Sequence, residues 1–370
     1  MTRVLFFSSV IDGGSPHSQR ALAHHLIERG HDVEFLVDDQ RNAPVSRLIG
    51  EQFADASVRF GRSNLLGAAA SIPGGRPRSR AIDELSHWTS PHPHNALKKV
   101  IDDFAPDIVI GNSVDRHSWR CALKTCRARG VRTILYLREM QAIGHLKNSE
   151  DPADTLVANA RTLVSAAAEQ GHQCEFVPSV IDVSTTRTES SRSTALLINP
   201  VASHGVNLGI ELARRCPGIP FTFQESWPLK GDERHALDHR LQSFDNIEFR
   251  PQQDPGPDLY SSARVLLVPH RLDNRPRVIV EAQDNGIPAI TSAYSGLREA
   301  AGDEALVIHE DNVDAWTEAL LQIWEDQDYY DELVTRAYRA ASRPELDPDK
   351  VVDSFETIME HAISRPALTR

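Results

Sequence analysis

Short apolar runs alternate with longer amphipathic stretches along most of the chain. The first run, Val4 to Val10, leads into a polar loop with Gly13 and Gly14. A helical pattern from Gln19 to Arg29 follows, closed by Gly30, and then a second apolar run, Val33 to Val37. Strand, helix and strand at this spacing predict one βαβ unit. Further strands are expected at Ile108 to Ile110, Thr133 to Leu137 and Glu175 to Val177. Helical patterns separate them around His94 to Asp103, Ser118 to Arg129 and Ala160 to Gln170. Such alternation predicts a parallel sheet covered by helices.

Between Asp182 and Thr194 the chain turns polar and rich in Ser, Thr and Arg, the composition of an interdomain linker. The alternation then restarts: Leu196 to Ile198, a helix from Val206 to Arg215, Phe221 to Phe223, Ile247 to Phe249, Val265 to Val268, a helix from Pro276 to Asn285, and Ala289 to Ile290. Three amphipathic patterns close the chain at Val313 to Glu325, Tyr329 to Ala341 and Val351 to Ile363. The expected organisation is α/β, with domains at 1–182 and 183–349 and a last helix near 350–370 that packs back on the first. Residues 55 to 95 carry little periodicity, and the arginines at Arg76, Arg78 and Arg80 are expected in a solvated loop.

Composition narrows the class. At 370 residues the chain exceeds what one ordinary core supports, and no apolar run approaches the ~20 residues of a spanning helix. The opening run lacks a cleavage site and reads as a buried strand. Cys121, Cys126, Cys174 and Cys216 show neither metal-ligand spacing nor a disulfide framework, so a reducing cytoplasm is expected. Net charge is −12, with 21 basic and 21 acidic residues up to position 182 and 19 against 31 beyond it. An acidic chain of this kind argues against general nucleic-acid binding.

The segment from Val265 to Thr291 reads as strand, loop, helix, strand, with Pro276 at the expected first helical position and Gly286 just past the end. Open amides at that helix start favour an anion, and Arg275 and Arg277 stand beside it to neutralise a diphosphate. Glu281 is placed to accept ribose hydroxyls, and Asp273 and Asn274, at the helix mouth, to meet the group beyond the phosphate. The alternative is an ordinary surface helix. Gly13 and Gly14 permit close backbone approach at the first helix, with His17 at its mouth. Because a GxGxxG pattern is missing there, a dinucleotide site is disfavoured despite Asp38 and Asp39. Arg138 and Glu139 follow an expected strand end, and His117 with Asp115 follows another. Each is a candidate ligand contact or a salt-bridged loop residue. Asp347 and Asp349 spell DxD inside a Pro-containing connection, and the histidines form no ligand set, so no metal is expected.

The pair Asp273 and Glu281, separated by seven residues and followed by Ala282 and then Asn285-Gly286-Ile287-Pro288, resembles the signature of the retaining glycosyltransferase family 4. Other stretches occur in the same order: the Gly13-Gly14 loop with Arg29-Gly30-His31, Val157 to Ala160, Val177-Pro178 with Ile181-Asp182, and Ser295 to Glu299. The chain departs from the pattern at two places. Asp273 precedes Asn274, Arg275 and Pro276 in place of Gly-Phe-Gly, and Asn199 and His204 stand before Gly205 where the family places an Arg and a Lys.

The resemblance implies a GT-B fold, two Rossmann-like doubly wound domains facing across a cleft. It implies transfer of sugar from a nucleoside-diphosphate sugar, a co-substrate needing no further cofactor, to a saccharide or small-molecule acceptor with retained anomeric configuration. Asp273, Arg275, Arg138 and Glu139 are then the catalytic candidates. Gly13, Gly14, Asn199, His204, Gly205, Asn274, Arg277 and Glu281 bind the donor, and His17 and His117 the acceptor. A sugar-nucleotide epimerase of the same plan and a noncatalytic partner subunit are the competing readings.

Overall fold

A computed structural model of the protein describes residues 1–10, 14–38, 78–147, 149, 152–227, 229, 231–253 and 256–364. The chain divides into two compact units. Unit 1 comprises Met1–Asn159, Leu163–Val177 and the chain from Val352, while unit 2 comprises Ala160–Thr162 and Pro178–Val351.

Unit 1 is built on an eight-stranded sheet. Its strands are β1 (Arg3–Ser8), β2 (Asp32–Asp38), β3 (Arg78–Ile82), β4 (Leu85–Ser90), β5 (Ile108–Asn112), β6 (Arg132–Leu137), β7 (Thr155–Ala158) and β8 (Glu175–Phe176), in the order β3-β4-β2-β1-β5-β6-β7-β8. All pairings are parallel except the β3–β4 hairpin. Helices α1 (Gly14–Glu28), α2 (Pro93–Phe104), α3 (Arg116–Ala128) and α4 (Arg161–Glu169) supply the crossovers. Val4 to Phe7 are completely buried, as expected of a central strand covered on both faces.

The β3–β4 hairpin is a correction to the sequence reading. Residues 78–82, expected in a loop, pair in register with β4, Arg78 opposite Thr89 and Ile82 opposite Leu85. The signal was hidden because His87, a polar letter, fills a core position: it is 1% exposed and stacks at 4.4 Å on Phe35, which stacks in turn on Phe6. Arg76 lies outside the described residues.

Unit 2 has a six-stranded, wholly parallel sheet in the order β11-β10-β9-β12-β13-β14. These strands are β9 (Thr194–Ile198), β10 (Phe221–Gln224), β11 (Ile247–Arg250), β12 (Ala263–Val268), β13 (Ala289–Thr291) and β14 (Leu306–Val307). The helices are α5 (Val206–Arg215), α6 (Gly231–Leu241), α7 (Arg277–Asp284), α8 (Ser295–Ala301), α9 (Val313–Glu325), α10 (Gln327–Ala341) and α11 (Pro348–Ser364), the last of which carries the chain back into unit 1. Two-residue periodicity sends alternate side chains to opposite layers. Ala195, Leu197, Val265 and Leu267 pack with Leu212, Trp316, Leu320 and Leu333 on one face. Leu196, Ile198, Leu266 and Val268 pack with Ile279, Ala282 and Leu297 on the other.

The polar stretch 182–194 is an ordered strap on unit 2. Thr186 is buried, Arg187 pairs with Asp284, the Thr188 amide donates to Asn285 Oδ1, and Arg192 donates to the carbonyls of Asn285 and Gly286. Its hydrogen bonds come from side chains and from backbone amides such as Ser191 and Ser193, which donate to the Ser261 and Ser262 carbonyls, so a hydrophobicity pattern carries no trace of them. In α11, Phe355 is completely buried, with its ring 5.9 Å from that of Tyr136. Arg29 there pairs with Asp353 and Glu356, and His31 lies 2.8 Å from Glu356. No helix among the described residues is long and apolar enough to cross a membrane.

Candidate active site

In unit 2 the chain winds outward from β9 through β10 to β11, and then from β12 through β13 to β14 in the opposite direction. The carboxyl ends of β9 and β12 therefore flank the topological switch point, where open α/β sheets have their crevice. Two helices begin there. α5 is capped at its start by Gly205, whose φ of +78° is left-handed, and a Cβ at that position would lie 2.1 Å from the Pro269 carbonyl. Only glycine lets the β9–α5 loop approach the β12–α7 loop so closely. The Arg271 amide donates to the Ser203 carbonyl across the same seam at 2.9 Å.

α7 begins at Arg277, with Pro276 as its N-cap in an extended conformation. This corrects the expectation that Pro276 is the first helical residue: its ψ of 134° keeps it outside the helix. Proline has no side-chain acceptor, so the first amides of α7 receive no side-chain cap. Asp273 turns to another helix, its Oδ1 accepting from the Gly296 amide of α8 at 2.6 Å. A Cβ on Gly296 would fall 2.6 Å from the Asn274 carbonyl and 2.9 Å from Asp273 Oδ1, so this contact also depends on a glycine.

The structure reveals partners for the charged candidates that the sequence did not show. Glu281 is 1% exposed. Its Oε2 accepts from the Tyr260 hydroxyl at 2.7 Å, and its Oε1 accepts from Arg277 Nε. Complete burial, then the neighbouring Glu281 charge, push the Tyr260 phenol well above its ordinary value, so it remains a donor. Arg275 is buried, with Nε 3.8 Å from Glu299 Oε1, while Glu299 Oε2 accepts from the Arg161 amide at 2.8 Å. Of the two arginines expected to neutralise a diphosphate, Arg277 is thus hydrogen-bonded to Glu281, and Arg275 faces Glu299 at ion-pair distance without a hydrogen bond between the two facing atoms. Tyr260 sits in no motif, whereas Glu299 falls in a stretch the sequence reading had singled out without assigning it a partner.

His204 and Asn274 do come together, through His270. The rings of His204 and His270 stack with centroids 4.0 Å apart and 20° between planes, Trp227 stands edge-on to His204 at 5.4 Å, and His270 Nδ1 lies 3.4 Å from Asn274 Oδ1. Burial lowers the His204 pKa to about 4, and burial followed by the His204 charge lowers that of His270 well below its ordinary value. Asn199, completely buried with φ +62°, accepts from the Ser226 amide at 3.2 Å, while its Nδ2 has no partner among the described residues.

In unit 1 the equivalent switch point lies between β1 and β5. Gly13 lies outside the described residues, and Gly14 is the first residue of α1. Ser15 accepts from Asn112 Nδ2 at 2.9 Å and from Ser113 Oγ at 2.8 Å, joining the start of α1 to the end of β5. His17 is half-buried one turn into α1, and His117 is exposed in the first turn of α3, which Asp115 caps through the Ser118 amide. His94, which the sequence reading left unassigned, stands edge-on to His117 at 5.4 Å. Burial, followed by the charges of His117 and His92, lowers its pKa. Arg138, 6% exposed, lies 4.2 Å over the Tyr136 ring. Glu139 reaches solvent, yet the surrounding protein raises its carboxyl above the ordinary value.

Residues 230–340 match the family described as Glycosyl transferases group 1. Among solved structures, the chain is similar to HepE from Anabaena in complex with UDP-glucose, at 12% identity over 98% of this chain and 100% of that one, with a TM-score of 0.73. It is similar to sucrose-phosphate synthase from Thermosynechococcus elongatus at 13% identity, 98% and 99% coverage and TM-score 0.75. The catalytic domain of starch synthase IV from Arabidopsis thaliana, bound to ADP and acarbose, aligns at 12% identity, 99% and 100% coverage and TM-score 0.67. No curated protein matches the chain by sequence. The fold is GT-B, as the resemblance implied.

Proposed function

From a GT-B chain whose residues 230–340 carry the glycosyl transferases group 1 pattern, we propose a transferase that moves a sugar from a nucleoside diphosphate to an acceptor hydroxyl with retention of anomeric configuration. The observation that carries this reading is the pair of helix starts, α5 and α7, at the switch point of unit 2. Helix amides and dipoles favour a diphosphate there. Glu281 would take the ribose hydroxyls in exchange for part of its contact with Arg277, releasing that guanidinium toward the phosphates. Asp273 and Asn274 would meet the sugar, and Asn199, His204, Gly205 and Arg275 the diphosphate. Neighbours solved with UDP-glucose and with ADP support a UDP- or ADP-sugar donor, and acarbose in the second supports a saccharide acceptor.

The acceptor binds on unit 1, with His17 and His117 as its contacts and Arg138 and Glu139 at the end of β6 orienting it. In the reaction the bond from the anomeric carbon to the β-phosphate oxygen breaks. The acceptor oxygen bonds to that carbon on the same face, and its proton passes to the departing phosphate. Charge growing on that phosphate is met by preorganised donors, the largest lever available to such a site. No metal enters the proposal. Among the described residues the one cluster of metal-ligating types, His309, Glu310 and Asp311, is engaged elsewhere: Tyr294 donates to Glu310, and Arg271 donates to Asp311.

The test is turnover of UDP-, ADP-, GDP- and TDP-sugars with saccharide acceptors, the anomeric configuration of the product being read by NMR. Release of free nucleotide with a new glycosidic bond is the expected result, and a new sugar nucleotide formed from donor alone would establish an epimerase instead. The engagement of Arg275 and Arg277 by glutamates favours one second reading, a partner subunit without activity, which would bind donor weakly and never turn it over.

A further inference from the structure

A diphosphate carries two negative charges into the crevice, and in the free protein each arginine near it faces a carboxylate that already offsets part of its charge. Among the described residues, Arg271 pairs with Asp311, Arg275 lies against Glu299, and Arg277 donates to Glu281. What the two loops do bring together is a stacked pair of imidazoles, His204 immediately before the cap of α5 and His270 just after β12. We propose that sugar-nucleotide binding is coupled to uptake of one proton by the His204–His270 pair, so that His204 becomes the cation opposite the diphosphate. This rests on the donor site proposed above and adds to Arg275 and Arg277 a further source of positive charge.

The geometry supports one proton and no more. The rings overlap at 4.0 Å, so two charges on the pair would repel at close range. His204 Nδ1 is buried with no hydrogen-bond partner among the described residues, which leaves a site for the proton. His270 is more deeply enclosed and faces Asn274, so the half-buried His204 is the better place for the charge.

The charged groups on the surrounding elements do not already supply a counter-ion. Glu225, at the end of β10, accepts from the Leu229 and Gln252 amides, and Asp273 accepts from Gly296. Trp227 adds an apolar edge. Burial holds both rings neutral at pH 7 in the free protein, with the Ile198 carbonyl opposing it weakly at His204, so the proton must arrive with the anion.

Calorimetric titration of the whole chain with UDP-glucose, ADP-glucose and GDP-mannose tests this, because their phosphodiester groups do not titrate in the range used. Measurements run from pH 5.5 to 8.5 in buffers of different ionisation enthalpy. The wild type is expected to take up close to one proton per ligand at the acidic end. Affinity should weaken about tenfold per pH unit until the pKa of the complex is passed. His204→Gln should bind more weakly and without pH dependence. His204→Lys, a permanent cation, should also be pH-independent and should exceed the wild type at pH 8.5. Binding by the wild type without proton uptake, or uptake that survives in H204Q, overturns the inference and leaves the donor site standing. Failure of every sugar nucleotide to bind the wild type at any pH instead overturns the donor site itself.

Discussion

The hydroxyl of Tyr260 donates to Oε2 of Glu281 at 2.7 Å, with the phenol completely buried and the carboxylate 1% exposed. Tyr260 precedes β12 and Glu281 lies on α7, so this bond ties the helix bearing the proposed ribose ligand to the sheet beneath it. Tyr260→Phe leaves a buried carboxylate short of a donor, and a loss of about 1–3 kcal/mol in unfolding free energy is expected. The denaturant midpoint of unit 2 measures it. A Y260F/E281Q double-mutant cycle that showed no coupling would mean the bond carries no energy.

Arg275→Ala is expected to weaken UDP-glucose binding about ten- to a hundredfold, the range for a charge-assisted contact to phosphate. It also leaves Glu299 without the guanidinium 3.8 Å away, so a modest drop in melting temperature should accompany it. Unchanged affinity in calorimetry would remove Arg275 from the donor site.

Gly296→Ala drives a methyl to 2.6 Å from the Asn274 carbonyl and must displace the loop that carries Asp273 and Asn274. With groups positioned for reaction, a shift of this size is expected to cost about a hundredfold in kcat/KM. Circular dichroism should remain that of the wild type. Full activity would show that the loop is not part of the reacting geometry.

The free protein should lose stability on acidification through His204. Its pKa is about 4 in the folded chain against an ordinary 6.5. Between these values the unfolded chain binds a proton that the folded one does not, so stability rises with pH there. The loss sets in as pH falls below 6.5 and is complete near 4, with a slope of at most about 1.4 kcal/mol per pH unit from this group. His204→Gln should flatten that part of the profile in urea denaturation across pH 4 to 7, and an unaltered slope would assign the effect to other groups.

Phe355→Ala removes a completely buried ring from α11, at a cost of about 3–5 kcal/mol to unit 1. The transition of unit 1 in guanidinium should move to lower denaturant while that of unit 2 holds its midpoint, and a shift confined to unit 2 would contradict the packing described.

Much of the fold was legible because it is written locally. The apolar runs at Val4, Ile108, Leu196 and Val265 are strands in the structure, and the restart of the alternation after residue 194 corresponds to a second sheet. Weaker signals failed for identifiable reasons. β3 and β4 carry Arg78, Arg80 and His87 at strand positions, and α6, with its run of charges from Asp232 to His235, presents almost no apolar stripe. The loops of the candidate site were found from strand ends, glycines and the spacing of Asp273 and Glu281. Their charge state was not, since two arginines in a sequence count as two positive charges until their partners are known.

The amino-acid sequence alone determined the order of the central strands and most of the helices, the two-sheet architecture and the loops at the strand ends, because side-chain periodicity reports which faces of each element are buried. Only the tertiary structure decided that Arg277 and Tyr260 share Glu281, that Arg275 lies against Glu299, and that His204 stacks on His270. His204 and His270 belong to loops on adjacent strands, and Tyr260 and Glu281 lie on opposite sides of β12 in the chain. Such meetings depend on sheet register and on how closely glycine lets backbones approach, and neither is encoded in any local pattern of hydrophobic and polar residues.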